Sequence, residues 1–300
     1  GKTEIKEEKK EVHEQVQHEE YDSITKVKVI CDLPDTAEKA ANTDADGVGL
    51  VRIEFMIAEN GVHPIHYIKN NQEDEYINLL FDGLKNIASP FKDKPVWVRT
   101  SDLRSDEYRN LTGGEDEPKE ANPMIGWHGI RRGLNNEKLL ESEFKVIKKL
   151  YDEGYKNIGI MLPFVISTEE VRKSKEMLRK VGLEPCEDIQ FGVMIETPAS
   201  VWMIDEICKE GISFISFGTN DLTQTTLGVD RGNDKIQHLY DVETSICGQA
   251  GSKPEMVRFL VKKGIDSISA NRDAVNEVRR IVFKEERKLI LDAARKDLDY

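Results

Sequence analysis

Residues 214–224 read FISFGTNDLTQ. An apolar run ends in Gly218 and Thr219, and then an amide, Asn220, stands beside a carboxylate, Asp221. Other segments finish in the same way. GLVRIE ends with Arg52 and Glu54, VWVRTSD with Arg99 and Asp102, and VMIETP places Glu196 after its last apolar residue. Downstream of Asp221, TTLGVDRGN supplies Arg231, and TSICGQAG sets Cys247 among small residues. These types fit one kind of ligand. Guanidinium forks suit a molecule that carries both a carboxylate and a phosphate. Glu196 and Asp221 suit a hard divalent cation that keeps waters and binds substrate oxygens, with Mg²⁺ the first candidate. Gly218 and Thr219 let backbone and hydroxyl come close to an anion.

Every one of these residues also has a plain structural reading. An arginine after a strand is most often a surface ion-pair partner. Asp221 has the position of a helix N-cap. A lone cysteine between Ile246 and Gly248 is more often a small buried hydrophobe than a reactive thiol. What favours chemistry is convergence, because several independent segment ends would have to meet at one mouth.

The elements that must position them are short apolar runs rich in Val and Ile: 26–30, 47–53, 95–100, 158–164, 191–196, 214–218 and 266–270. They read as strands buried on both faces. A weaker eighth strand is expected near 122–129, NPMIGWHG. Amphipathic stretches alternate with them. Ile77, Leu80, Phe81, Leu84 and Ile87 share one helical face, as do Leu140, Phe144, Ile147 and Tyr151. Ser167 and Glu170 form a capping box at the start of another helix, and a long final helix covers about 273–298. Eight strands alternating with helices predict an α/β fold of the (β/α)8 TIM barrel type, with a doubly wound sheet as the alternative. In a barrel the C-terminal strand ends carry the active site, and the residues named above stand there. A longer insertion, 101–122, follows the third strand.

Residues 1–25 are dominated by Lys and Glu and repeat no apolar face, which predicts a solvated linker or its remnant before a barrel domain at 26–300. The start without Met is read as that of a fragment of a longer chain. A net charge of −13 argues against nucleic acid as partner, whose phosphates would be repelled. No apolar run reaches the roughly 18 residues of a membrane span. The four cysteines form no CxxC pair, and no signal peptide stands out, so a cytoplasmic location is expected.

Taken together, GLVRIEFMI with GVHP, the long segment from VWVRTSD through NPMIGWHGIRR, VMIETPA, SFGTNDLTQTTLGVDRGN and TSICGQA resemble the phosphoenolpyruvate-binding domain of the PEP-utilising enzymes. The resemblance runs from about residue 24 to the end. Within that family GVHP, SDEY, TSICGQA and GIDSIS look most like the phosphoenolpyruvate synthase branch. Pyruvate phosphate dikinase and phosphotransferase-system enzyme I are the alternatives. The resemblance implies a (β/α)8 barrel acting on pyruvate and phosphoenolpyruvate, with Mg²⁺ on Glu196 and Asp221. It implies that Arg52 and Arg99 hold substrate, and that Gly218, Thr219, Asn220 and Arg231 line the phosphate and carboxylate site. Cys247 becomes the acid/base at the methylene carbon. Phosphohistidine and ATP-binding domains on the same full-length chain become the partners, and a homodimer is implied. One position departs from the pattern: after NPMIGW the family has Arg, and here His128 stands, retained as a substrate-binding candidate. Two readings from outside the family remain, an Mg²⁺-dependent lyase or aldolase working on a pyruvate enolate, and a non-catalytic metabolite sensor. The second keeps the arginines and has no need of Cys247.

Overall fold

The computed structural model describes residues 21–240 and 249–298, so most of the expected linker, and Cys247, lie outside the described residues. Seven strands form one sheet: β1 (Lys26–Ile30), β2 (Val48–Arg52), β3 (Val96–Arg99), β4 (Ile158–Leu162), β5 (Gln190–Ile195), β6 (Phe214–Phe217) and β7 (Ser267–Ala270). Their order is β6-β5-β4-β3-β2-β1-β7, and every pairing is parallel. A doubly wound sheet reverses its strand order partway along. This sheet runs in chain order and sets its last strand beside its first, which is the winding of a barrel. Between β6 and β7 no strand pairing occurs among the described residues.

The two faces of the sheet differ in kind. Val27, Val29, Val96, Val98, Ile158, Ile160, Val193 and Ile195 are all buried and belong to one continuous apolar core. The helices Glu73–Ala88 and Glu137–Asp152 join that core with Leu80, Phe81, Leu84 and Ile87 from the first and Leu140, Phe144 and Ile147 from the second. These are the apolar stripes expected from the sequence. The alternate strand residues face inward. Trp97 and Phe214 stack there, ring centroids 3.8 Å apart at 5°, and the Lys28 ammonium lies 3.0 Å from the centre of the Trp97 ring. Gly192 makes the room, because a Cβ on it would enter the Phe214 ring. Two residues beyond Trp97 on the same face comes Arg99, at the strand's C-terminal end.

The capping box is present: the Ser167 hydroxyl accepts the Glu170 N–H and the Glu170 carboxylate accepts the Ser167 N–H, opening Thr168–Lys180. The final helix is Val275–Leu298. The expected strand at 122–129 is not one. Pro123 starts a 3-10 turn, Pro123–Ile125, and Gly126 ends it. Proline removes a ladder donor, so the segment builds a wall of the site rather than a stave of the barrel. The insertion after β3 is fastened by a buried cluster absent from the sequence reading. His63 Nε2 lies 2.8 Å from Glu117 Oε1, and the Arg132 guanidinium grips both oxygens of Glu117. At the opposite end, Arg279 of the last helix bonds Asp46 Oδ2 at 2.6 Å and Ser23 Oγ at 3.1 Å, clasping the last helix to the start of the barrel. No helix among the described residues is long and apolar enough to cross a membrane.

Candidate active site

A cavity of about 710 Å³ opens at the C-terminal ends of the strands. Arg52, Arg99, His128, Glu196, Gly218, Thr219, Asn220, Asp221 and Arg231 all line it. Of the ten residues assigned a binding or catalytic role from the sequence, nine are thus brought to one place, together with the strand-end residues Glu54 and Asp102, and Cys247 is outside the described residues.

Each is delivered by local structure. Arg52 closes β2, and the carboxylate of Asp32, just past the end of β1, accepts both its backbone N–H, at 2.9 Å, and its Nη2, at 2.6 Å. Arg99 closes β3 and sits between two carboxylates, with Nη2 3.1 Å from Glu54 Oε1 and Nη1 3.1 Å from Asp102 Oδ2. Burial works against its charge, but Glu54 and Asp102 more than offset this, and the guanidinium stays ionised. Glu54 itself is pushed above the usual carboxylate range by burial, against the pull of Arg99. Among the described residues, Glu54 Oε2 and Arg99 Nε are buried with no hydrogen-bond partner. Orphaned polar atoms beside a cavity are what a polar ligand or water would satisfy.

Glu196 follows β5 and is 1% exposed. Its Oε2 accepts the Phe164 N–H at 2.7 Å. Gly218 is glycine for a steric reason, since a Cβ there would strike the Glu196 carboxylate. Burial, Asp102 and Asp221 together push Glu196 up to about 8, against the pull of Arg99. Asp221 is likewise raised by burial, with Arg231 opposing. The plain reading of Asp221 as a helix cap does not hold. Gly218 occupies the N-cap of Thr219–Leu227, which leaves the Asp221 side chain in the first turn, facing the cavity. Arg231 Nη2 lies 3.4 Å from Asp221 Oδ1, and its backbone N–H is held by Gln224 Oε1 at 3.1 Å. Two carboxyls in one cavity wall, both raised and Glu196 partly by Asp221, are a donor set that a divalent cation would stabilise, so the residues fit one. Among the described residues, no group of three or more His, Cys, Asp or Glu side chains forms a ready metal cage. The remaining ligands would come from water and substrate, as Mg²⁺ prefers.

Three carboxylates, Glu54 and Asp102 in the cavity wall and Asp32 behind it, orient the arginines. Asp32 sets the Arg52 fork, and the only signal for it was a carboxylate ending the strand before β2. Glu54 and Asp102 set Arg99. Arg104 is also in the cavity wall, where it pairs with its near neighbours Asp106 and Glu107.

A sequence model of the family described as PEP-utilising enzyme, PEP-binding domain, matches residues 6–244 and 241–287. A phosphoenolpyruvate synthase of Pyrococcus furiosus is 52% identical over 286 residues, covering 88% of this chain and 35% of the relative. A probable phosphoenolpyruvate synthase of Methanocaldococcus jannaschii is 48% identical over 316 residues, covering 98% of this chain and 26% of the relative. A probable phosphoenolpyruvate synthase of Staphylothermus marinus is 38% identical over 307 residues, covering 92% of this chain and 37% of the relative. The chain spans about a third of the length of these curated relatives. Over nearly all of its length, then, the chain belongs to the PEP-binding domain family of the PEP-utilising enzymes.

Proposed function

We propose that the cavity binds phosphoenolpyruvate and pyruvate, and that the chain performs the pyruvate half of a phosphoenolpyruvate synthase reaction. The observation that carries this reading is the meeting of Arg52, Arg99, Arg231, Glu196 and Asp221 around one cavity at the mouth of a singly wound parallel sheet. The names of the relatives favour the synthase over the dikinase and enzyme I.

The roles follow from the side chains. Arg52 and Arg99 hold the substrate's carboxylate and phosphate, each aimed by its own carboxylate partner. Gly218, Thr219 and Asn220 line the anion's path at the start of a helix, and Arg231 adds a third positive charge. Glu196 and Asp221 hold Mg²⁺, which when bound supplies Lewis-acid polarisation of the substrate oxygens. Cys247 takes a proton from the pyruvate methyl group, or returns one in reverse. The enolate oxygen then attacks the phosphorus of a phosphohistidine. A P–O bond forms, the P–N bond breaks, and the imidazole nitrogen keeps the electron pair. That phosphohistidine, and the ATP-binding domain that charges it, belong to the full-length chain as partners.

Calorimetric titration of the chain with phosphoenolpyruvate tests this reading. Binding is expected with Mg²⁺ and not with chelator, and Asp221→Asn is expected to abolish the Mg²⁺-dependent part while leaving the thermal melt intact. Equal binding with and without Mg²⁺, or in the variant, would overturn the metal assignment. No binding at all would overturn the substrate.

A further inference from the structure

We infer that His128 is a fixed cation that positions Asp102 and, through it, Arg99, and that it makes no contact with the ligand. The inference rests on reading Arg99 as a ligand-binding residue. His128 is 4% exposed, and both of its ring nitrogens already face protein acceptors. Nδ1 lies 2.8 Å from Asp102 Oδ1, and Nε2 lies 3.1 Å from the carbonyl oxygen of Met124. A carbonyl oxygen can only accept, and so can an ionised carboxylate. Asp102 stays ionised, because its other oxygen, Oδ2, takes Arg99 Nη1 at 3.1 Å. Both nitrogens must therefore donate, and the ring carries both protons.

The rest of the ring is also enclosed. Phe164 packs against it with centroids 4.4 Å apart at 57°, and the Phe164 N–H is the donor to Glu196. Gly129, next in the chain, has φ +65°, a conformation that favours glycine. A Cβ there would come within 2.7 Å of Phe164 Cβ and 3.2 Å of Asp102 Oδ1. The backbone is thus shaped to bring the imidazole against Asp102 and Phe164, with neither N–H turned to the cavity.

The charges around it explain why a cation is needed. Arg99 contacts both Glu54 and Asp102, and His128 contacts Asp102 at its other oxygen. Asp221 and Arg104 also act on this group, and Arg131 lies over the far ring, 5.0 Å from the Phe164 centroid. With His128 charged, two cations rather than one offset Glu54 and Asp102, which leaves the site less negative toward an anion. Burial opposes the charge of His128, but its bonds to Asp102 and Met124 outweigh this, so its proton is held above the usual histidine range. Asp102 is held below the usual carboxylate range, with Arg99 and His128 together overcoming its burial. A shorter cation with a fixed carboxylate partner thus stands where the family pattern has arginine.

Long-range ¹H–¹⁵N correlation spectra of the ¹⁵N-labelled chain decide the charge state without any ligand. The His128 signals are assigned by their loss in His128→Asn. Both ring nitrogens are expected to be protonated at pH 7.5, and one of them unprotonated in Asp102→Asn. Adding phosphoenolpyruvate with Mg²⁺ is expected to leave both protonated. In calorimetry, His128→Asn is expected to weaken phosphoenolpyruvate binding on the order of tenfold, the effect of one neighbouring charge. His128→Arg is expected to restore most of it, which a purely packing role would not allow. A neutral wild-type ring at pH 7.5, or unchanged affinity in His128→Asn, overturns the inference. If the wild-type chain binds no phosphoenolpyruvate, the reading of the cavity falls, and the ligand-free spectra still decide separately whether His128 is a fixed cation.

Discussion

Arg52 and Arg99 look alike in the sequence and differ in their settings. The Arg52 side chain is 37% exposed and answers to one carboxylate, Asp32. Arg99 is 12% exposed and holds two. Arg52→Ala is therefore expected to weaken phosphoenolpyruvate binding by about 2–4 kcal/mol with little change in melting temperature. Arg99→Ala is expected to lose a similar amount of affinity and about 3–5 kcal/mol of stability as well, because it strands Glu54 and leaves Asp102 with His128 alone. Calorimetry and thermal melts on both variants separate the two, and Arg104→Ala, whose ion-pair partners are its near neighbours Asp106 and Glu107, is expected to fall below either. Equal losses at all three would mean that the ligand sits elsewhere. Cys247 has a different test. Cys247→Ser is expected to keep Mg²⁺-dependent phosphoenolpyruvate binding and to lose exchange of pyruvate methyl protons with deuterated water, followed by NMR. A serine hydroxyl is too weak an acid or base near neutral pH for that step. Cys208→Ser serves as control, and undiminished exchange in Cys247→Ser would reduce the thiol to packing.

Between residue and fold stand the helices that brace the strand ends. Glu143, in the helix Glu137–Asp152, reaches behind β3, where Oε2 accepts the Ser101 N–H at 3.1 Å and Oε1 the Tyr76 hydroxyl at 3.3 Å. Ser101 and Asp102 are neighbours, so this carboxyl supports the backbone from which Asp102 reaches Arg99. Burial pushes Glu143 from its ordinary 4.5 up to about 7, against its bonds to Ser101. A carboxyl raised on folding contributes stability that is full below 4.5 and is lost as pH rises through 7. The loss is on the order of 3 kcal/mol at most, at 1.36 kcal/mol per unit. Melting temperature is expected to decline between about pH 4.5 and pH 7, and the decline is expected to be smaller in Glu143→Gln, which is neutral throughout. Parallel slopes in the two proteins would assign the decline to another group.

At the scale of the whole molecule, the two ends of the barrel do different work. The mouth gathers charged groups whose polar atoms are partly unmatched, such as Glu54 Oε2 and Arg99 Nε. The opposite end carries the clasp from Arg279 to Ser23, Asp44 and Asp46, which ties the last helix to the first two strands. Nearby, Glu286 accepts the N–H groups of Ile24 and Thr25 at 3.0 and 2.7 Å. Arg279 is 5% exposed, and its removal leaves Asp46 without its guanidinium. Arg279→Ala is expected to cost about 3–5 kcal/mol of stability and to leave phosphoenolpyruvate affinity unchanged, as measured by denaturant unfolding and calorimetry. A change in affinity would mean that the clasp and the mouth are coupled.

The sequence by itself determined the local pieces. Val and Ile runs became strands because the face that packs under the helices must be apolar. Burial on both faces does not hold for β3, β6 and β7, whose inward residues are only half-buried where they line the cavity. The stripes through Leu80 and Leu140 became helices because a 3.6-residue period leaves one apolar face. The strand-end motifs identified Arg52, Arg99, Glu196 and Asp221, because in a parallel α/β fold those ends meet. Pattern alone misread 122–129, where an apolar stretch looked like a strand until Pro123 and Gly126 were placed in three dimensions. Which residue pairs with which was not legible, even where both stood at strand ends. Asp32 reaches Arg52 across two adjacent strands, Glu54 and Asp102 enclose Arg99, and His63 meets Glu117 across 54 residues of chain. Hydrogen bonds and ion pairs act over about 3 Å, and chain order carries no such distance. The same reason governs His128: its residue type was readable as a departure from arginine, but its charge depends on Asp102 and Met124, which only the folded chain brings to its two nitrogens.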